Sequence, residues 1–292
     1  MKLGIALGGG GAKGLTHIGV LSVLEKNGVK PTHVAGTSIG AVVGALYCLD
    51  GTADRLKERA QEMLSSDEFR DFGLDEFYTK DKNVFEQFKK EVFEKFYFGR
   101  LFFRKSHIKT KAARKLFDNM FGSLTFADLK TKLICNSLDI QTGEEVIFSS
   151  GKLSDAVWAS CAIPGILPPC TAQGKILVDG GVVDNLPVHP LICAGAGIVI
   201  ASYLGARPVF EGIPDTGFRI NQRAQSFVRY HLDQNLIKNA DCVIAPDVGD
   251  YHWADFSQLD TLVKKGEAAT EKSMKCIRKV HSVWYRIRKH FV

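Results

Sequence analysis

The chain has 292 residues, a formal net charge of +6, 45% apolar residues and 24% charged residues. This length holds one large α/β domain or two small ones, and the composition is that of a folded protein, which excludes a disordered or fibrous chain. A charge of +6 permits contact with an anionic surface without demanding it.

The chain opens with Met1, Lys2 and the short apolar run Leu3–Leu7, then four glycines. The run is too short for a signal peptide core and lacks a small-residue cleavage site. It reads as a buried strand entering a tight turn. Ala12 to Asn27 follows with helical spacing at Leu15, Ile18, Leu21 and Leu24, and Gly28 closes it. Val34–Ala35 reads as a second strand and Ile39 to Leu49 as an apolar helix buried against a sheet. The whole stretch from Val34 to Leu49 is shorter than a bilayer span and is broken by Gly36-Thr37-Ser38-Ile39-Gly40, so no transmembrane helix is predicted.

Residues 65–115 show no clear strand and are rich in lysine and aromatic rings. Between Thr79 and Lys115 stand twelve Lys/Arg and four Asp/Glu, with Phe85, Phe88, Val92 and Phe96 at helical spacing. Such a segment suits a bilayer surface, a lid over a cleft, or an ordinary helical insertion. Further strands are predicted at Lys132–Asp139, Glu144–Phe148, Ile176–Asp179, Ile198–Ser202 and Cys242–Ala245. Residues 257–290 read as one long basic helix, with Ile277, Val280, Trp284, Ile287 and Phe291 in one stripe that packs on the domain or docks on a membrane. Alternating strands and helices imply an α/β fold with a layered, mostly parallel sheet and flanking helices. No linker divides the chain, so a single domain over 1–292 is expected. The seven cysteines are scattered, odd in number and mostly in apolar surroundings, a pattern of reduced thiols rather than a disulfide framework.

Three motifs carry chemistry. Gly8-Gly9-Gly10-Gly11-Ala12-Lys13-Gly14 lies between strand and helix, where backbone N–H groups point at an anion. A dinucleotide site wants an acidic residue at the end of the second strand, and that strand ends in Gly36-Thr37-Ser38. A P-loop ends in Gly-Lys-Ser/Thr, whereas here Lys13 precedes Gly14 and Leu15, so both nucleotide readings weaken. Gly36-Thr37-Ser38-Ile39-Gly40 is a G-x-S-x-G at a strand-to-helix junction, which exposes a serine hydroxyl at a helix N-terminus. A bare helix cap is the plainer reading of Ser38. Asp179-Gly180-Gly181 ends an apolar strand, where a carboxylate either reaches a neighbouring strand end or satisfies its own loop.

In this order the three motifs resemble those of the patatin-like phospholipases, the compact bacterial members above all. Ala159 to Gly165, Pro168-Pro169, Asp184-Asn185-Leu186-Pro187, Leu138-Asp139 and Thr142-Gly143-Glu144 extend the match over roughly residues 3–205. The resemblance implies a Ser–Asp dyad, with Ser38 as nucleophile and Asp179 as proton acceptor. It also implies an oxyanion hole from the N–H groups of Gly9, Gly10 and Gly11, with Lys13, Gly14, Gly36, Gly40, Gly180 and Gly181 as supporting motif residues. The activity implied is hydrolysis of glycerophospholipid or related acyl esters through an acyl-serine. Acyl transfer to an alcohol and a non-catalytic regulator on the same fold are the alternatives. His189, ten residues after Asp179, is the candidate third member of a triad. His17 reads as a packed histidine, Asp184 as a competing base, and Cys161 and Cys170 as core or pocket lining. No metal spacing or cofactor motif is seen. The expected partner is an acyl-ester lipid, with peripheral contact to an anionic membrane and no nucleic acid. The expected location is the cytoplasm, including the inner face of the membrane, and the oligomeric state is left open.

Overall fold

The computed structural model describes residues 1–77, 104–210, 212–249 and 251–282, together with 285 and 289. The basic aromatic segment around Phe85 to Phe103 lies outside the described residues, as do Trp284, Ile287 and Phe291. The strands are β1 (Leu3–Leu7), β2 (His33–Gly36), β3 (Lys132–Asp139), β4 (Glu145–Phe148), β5 (Cys170–Ala172), β6 (Lys175–Asp179), β7 (Ile198–Ser202) and β8 (Cys242–Ile244). The helices are α1 (Thr16–Lys26), α2 (Ile39–Asp50), α3 (Ala53–Ser65), α4 (Asp67–Asp71), α5 (Thr110–Phe121), α6 (Leu153–Cys161), α7 (Val188–Cys193), α8 (Gly217–Ile237) and α9 (Leu259–His281).

All eight strands form one sheet. Its parallel part runs β3-β2-β1-β7-β8, as the α/β pattern predicts, and β4, β5 and β6 add antiparallel pairings beyond β3. Burial follows the two-residue period of a strand on both faces. Leu3, Ile5, Leu7, Val34, Leu133, Cys135, Ile198 and Ile200 join one core with α1, α2, α6 and α9. Ala6, Ala35, Ile134, Val199 and Ala201 join a second, smaller core with Leu186, Val188 and Leu191 around α7. The sheet is therefore sandwiched between two helical layers.

α1 and α9 cross at backbone distance. A Cβ on Gly19 would stand 2.0 Å from the Val263 carbonyl oxygen, and one on Gly266 would stand 2.0 Å from that of Thr16. Only glycine admits that approach. Leu262, Met274, Ile277 and Val280 of α9 are buried, so the described part of the C-terminal stripe packs on the domain. The helix ends at His281 with an extended Ser282, short of the predicted residue 290. The predicted helix from Ala12 opens with a 3-10 turn, Gly11–Leu15, before α1 begins. Among the described residues, no helix is long and apolar enough to cross a membrane.

Candidate active site

Sheet register brings the second and third motifs together. On β3, Cys135 pairs with Gly36 and Phe148, and Ser137 pairs with Asp179 and Val146. Phe148 and Val146 belong to one strand, so β2 and β6 share the opposite edge of β3. β2 runs up that edge and β6 runs down it. The chain ends at Gly36 and Asp179 therefore meet, two β3 residues apart.

Beyond Gly36 the chain turns sharply. Ser38 has φ 55° and ψ −125°, a left-handed backbone for a residue that carries a side chain. Such strain costs about 1–3 kcal/mol and persists only where the surroundings enforce it. Here they do. The Thr37 N–H donates to the Leu7 carbonyl at 3.1 Å, and the Ser38 N–H donates to Ser160 Oγ at 2.9 Å. The Thr37 hydroxyl donates to Asn136 Oδ1 at 2.8 Å, with the Asp184 carbonyl 3.0 Å away. A Cβ on Gly36 would lie 2.2 Å from the Gly40 carbonyl oxygen, and one on Gly40 would lie 2.1 Å from that of Leu7. Both glycines of the G-x-S-x-G are thus required by the closeness of the turn.

Ser38 and Asp179 are both buried. The Asp179 carboxylate accepts from the Gly181 N–H at 2.7 Å and lies close enough to Ser38 for the hydroxyl to pull its pKa down. Burial pushes the Asp179 pKa up to about 6, against the pull of Ser38, the Gly181 N–H and the charge of Arg229. Arg229 comes from α8, outside every motif read in the sequence. Gly180 packs against the carbonyl of Asn136.

The glycine loop lies alongside, and a Cβ on Gly9 would stand 3.3 Å from Ser38 Cβ. The Gly9 N–H donates to the Asn185 carbonyl at 3.0 Å, and the Ala12 N–H donates to that of Trp253 at 2.6 Å. This corrects the expectation for Gly9, whose donor is spent on holding the loop. The N–H groups of Gly10 and Gly11 make no backbone hydrogen bond among the described residues, and Gly11 lines the pocket at Ser38. Gly14 packs on the Ile39 side chain, and Lys13 lies half-buried at the loop's end.

His17 holds this loop from beneath. It is fully buried, with Nε2 2.8 Å from the Gly8 carbonyl and Nδ1 2.8 Å from Ser202 Oγ. A carbonyl only accepts, so Nε2 carries the proton and Nδ1 accepts from the serine hydroxyl. Burial lowers its pKa to about 4, which keeps the ring neutral. His189 is exposed on α7 with its ring beside Cys193 Sγ, in a separate hollow with Lys132 and Ile147. The structure does not bring it to Ser38. Asp184 accepts from the Leu186 N–H at 3.0 Å, and burial pushes its pKa up to about 7, with the charges of Glu145 and Asp233 acting on it. Cys161 lines the pocket beside Ser38 and burial holds its thiol protonated; Cys170 is buried and pushed up to about 12.

The pocket at Ser38 has a volume of about 80 Å³ and an apolar lining that includes Ile39, Val42, Phe117, Ile163 and Trp253. A T-shaped pair, Phe69 and Phe256 with centroids 5.2 Å apart, divides it from a broader hollow of about 860 Å³ between α3 and the start of α9. Among the described residues no group of three or more His, Cys, Asp or Glu is placed to hold a metal ion.

The chain matches the family model of the patatin-like phospholipases over residues 5–192. It is 30% identical over 206 residues to lysophospholipase nte1 of Aspergillus fumigatus, covering 70% of this chain and 12% of that protein. It is 28% identical over 294 residues to lysophospholipase NTE1 of Debaryomyces hansenii, covering 91% of this chain and 17% of that one. The chain thus spans less than a fifth of these relatives' length. VipD from Legionella pneumophila shares the fold with a TM-score of 0.52 at 16% identity, over 94% of this chain and 66% of that one. The chain belongs to the patatin-like phospholipase family.

Proposed function

We propose that this chain hydrolyses acyl esters of lipids, lysophospholipid or phospholipid, through an acyl-serine on Ser38 with Asp179 as the base. The observation that carries this reading is the strained Ser38 at the end of β2, brought by the register of β3 beside the buried Asp179 carboxylate, whose pKa burial pushes up to about 6. A solvent-exposed aspartate, near 4, is too weak a base for a serine hydroxyl; burial brings Asp179 closer to the working range.

In the reaction Ser38 Oγ attacks the ester carbonyl as its proton passes to Asp179. The oxyanion forms at the N terminus of α2 beside Gly10 and Gly11, whose N–H groups stabilise it together with the helix dipole. Asp179 then returns the proton to the departing alcohol. A water, deprotonated by Asp179, attacks the acyl-serine and frees the acid and Ser38. The Gly181 N–H and Arg229 keep the carboxylate of Asp179 oriented and ionised at neutral pH. The apolar pocket takes the start of the acyl chain and excludes water from the ester.

The test is hydrolysis of a butyryl aryl ester, then of lysophosphatidylcholine, by the wild type and by Ser38→Ala. Both proteins are checked for the same unfolding midpoint. Loss of at least a thousandfold in the variant is expected. Equal rates in the two proteins would place the chemistry elsewhere.

A further inference from the structure

α8 is 21 residues long, and Asp233 is its single buried residue. Packing alone would put an apolar side chain there, since a buried carboxylate is costly unless its charge is compensated. Ile220, Phe227 and Val228 of the same helix are exposed instead. The Tyr203 hydroxyl, just beyond β7, donates to Asp233 Oδ2 at 3.3 Å, and Oδ1 makes no hydrogen bond among the described residues. One neutral donor at that length does not balance a buried charge. The compensating cation is Arg229, four residues earlier and so on the same face of the helix.

Arg229 stands between two carboxylates. Its Nη1 lies 3.6 Å from the point that a Cβ on Gly181 would occupy, and Asp179 Oδ1 lies 2.8 Å from that same point. Burial pushes the Asp233 pKa up to about 6, and Arg229 pulls it back down, as it does that of Asp179. Among the described residues Arg229 nevertheless closes an ion pair with neither carboxylate. A guanidinium paired directly with a carboxylate lowers its pKa by about 1–3, and a base for a serine hydroxyl needs the opposite.

We infer that Asp233 is a positioning residue of the Ser38 site: its charge holds Arg229 back, so that the guanidinium stays beside Asp179 without closing an ion pair on it. The inference rests on Asp179 as the base. Asn185 belongs to the same cluster. Its Oδ1 lies 2.9 Å from the Gly181 point, its side chain is near enough to Asp233 to lower that pKa, and its carbonyl takes the Gly9 N–H. The inner face of α8 therefore meets the surroundings of the base and of the glycine loop at once. The other titratable groups facing the two carboxylates offer no substitute for Asp233. Cys161 on α6 and Tyr203 are held protonated by burial, with Tyr230 acting on Tyr203. Asp184, pushed up to about 7, feels Asp233 and Glu145.

The experiment follows the carboxyl carbon signals of Asp179 and Asp233 through a pH titration of the full chain, each assigned by its loss in the Asn variant. The titration reads the groups themselves, so its result stands apart from whether the chain hydrolyses esters. Asp233→Asn is expected to lower the Asp179 midpoint by about one pH unit, as Arg229 turns wholly to the base. It is also expected to lower the plateau kcat for a soluble aryl ester about threefold at an unchanged KM, the mark of a weaker base. Arg229→Gln is expected to raise the midpoints of Asp179 and Asp233 together, and adding Asp233→Asn to it should then move Asp179 no further. The Arg229 variant tests the shared cation even where Asp233→Asn fails to fold. An Asp179 midpoint that Asp233→Asn leaves unmoved or raises, or an Arg229→Gln that moves only one of the two carboxyls, would each overturn the inference.

Discussion

Asp179→Asn is expected to remove activity while making the folded chain more stable at neutral pH. Burial raises the pKa of Asp179 from 3.8 to about 6. Folded protein therefore binds the proton more tightly than unfolded chain does, and stability falls as pH rises between these two values. The favourable term is fully present below about pH 4 and is lost above pH 6. A shift of about two units corresponds to roughly 3 kcal/mol for ionising this side chain inside the fold. Asparagine is isosteric, still accepts from the Gly181 N–H and carries no charge to desolvate. At pH 8 the variant should gain roughly 2–3 kcal/mol, about 4–6 °C in Tm for a chain of this size. At pH 4 the gain should vanish. Urea and thermal unfolding of the two proteins at both pH values measure this directly. A variant less stable at pH 8, or one equally stabilised at both pH values, would show that ionised Asp179 is not a cost of the fold. The carboxylate would then be a weaker base than burial implies, and the trade of stability for function would be absent.

Three further outcomes are expected. The kcat/KM for a soluble aryl ester should rise about tenfold per pH unit below about 6 and level above it, and His189→Ala should keep the same profile; loss of the profile in that variant would restore a histidine to the mechanism. Gly40→Ala puts a Cβ 2.1 Å from the Leu7 carbonyl oxygen, at the strand end that carries the glycine loop. A shift of about 1 Å there should lower kcat on the order of a hundredfold, and an unchanged kcat would show that the loop tolerates displacement. The 80 Å³ pocket has room for about three or four carbons, by comparison with the roughly 150 Å³ that accepts benzene. Phe69→Ala opens it to the 860 Å³ hollow and should move the preferred acyl length upward across a butyryl-to-dodecanoyl ester series, whereas an unmoved preference would mean that longer chains leave the pocket by another side.

The buried strands were legible because each is a short apolar run ended by glycine or a polar turn, and parallel strands covered on both faces leave that mark. β5 left none, since three residues after Pro168-Pro169 carry too little pattern. α8 was missed for a related reason: helical periodicity is visible when an apolar face is buried, and here the inward face offers Asp233 while the apolar face looks outward. In the proposed site, the elbow at Ser38 and the turn at Asp179 left local motifs because each imposes a composition. Asn136, Ser160, Asn185 and Arg229 act through contacts formed only on folding, and a lone polar residue in a sequence does not announce its partner. The donor expected from Gly9 illustrates the same limit. Its place in the loop was clear, but the carbonyl that takes its N–H belongs to Asn185, far along the chain.

The shared edge of β3 has a consequence for the protein's birth on the ribosome. β1, β2 and β3 can pair first, but Ser160 and Asp184, which brace the elbow, and Asp179, which arrives when β6 closes on the remaining length of that edge, all come later in the chain. Synthesis runs from the N terminus, so after β3 ends at Asp139 the chain must grow by 40 residues (179 − 139) before the proposed base can take its place. The proposed pair of Ser38 and Asp179 is therefore incomplete until that one strand is in place.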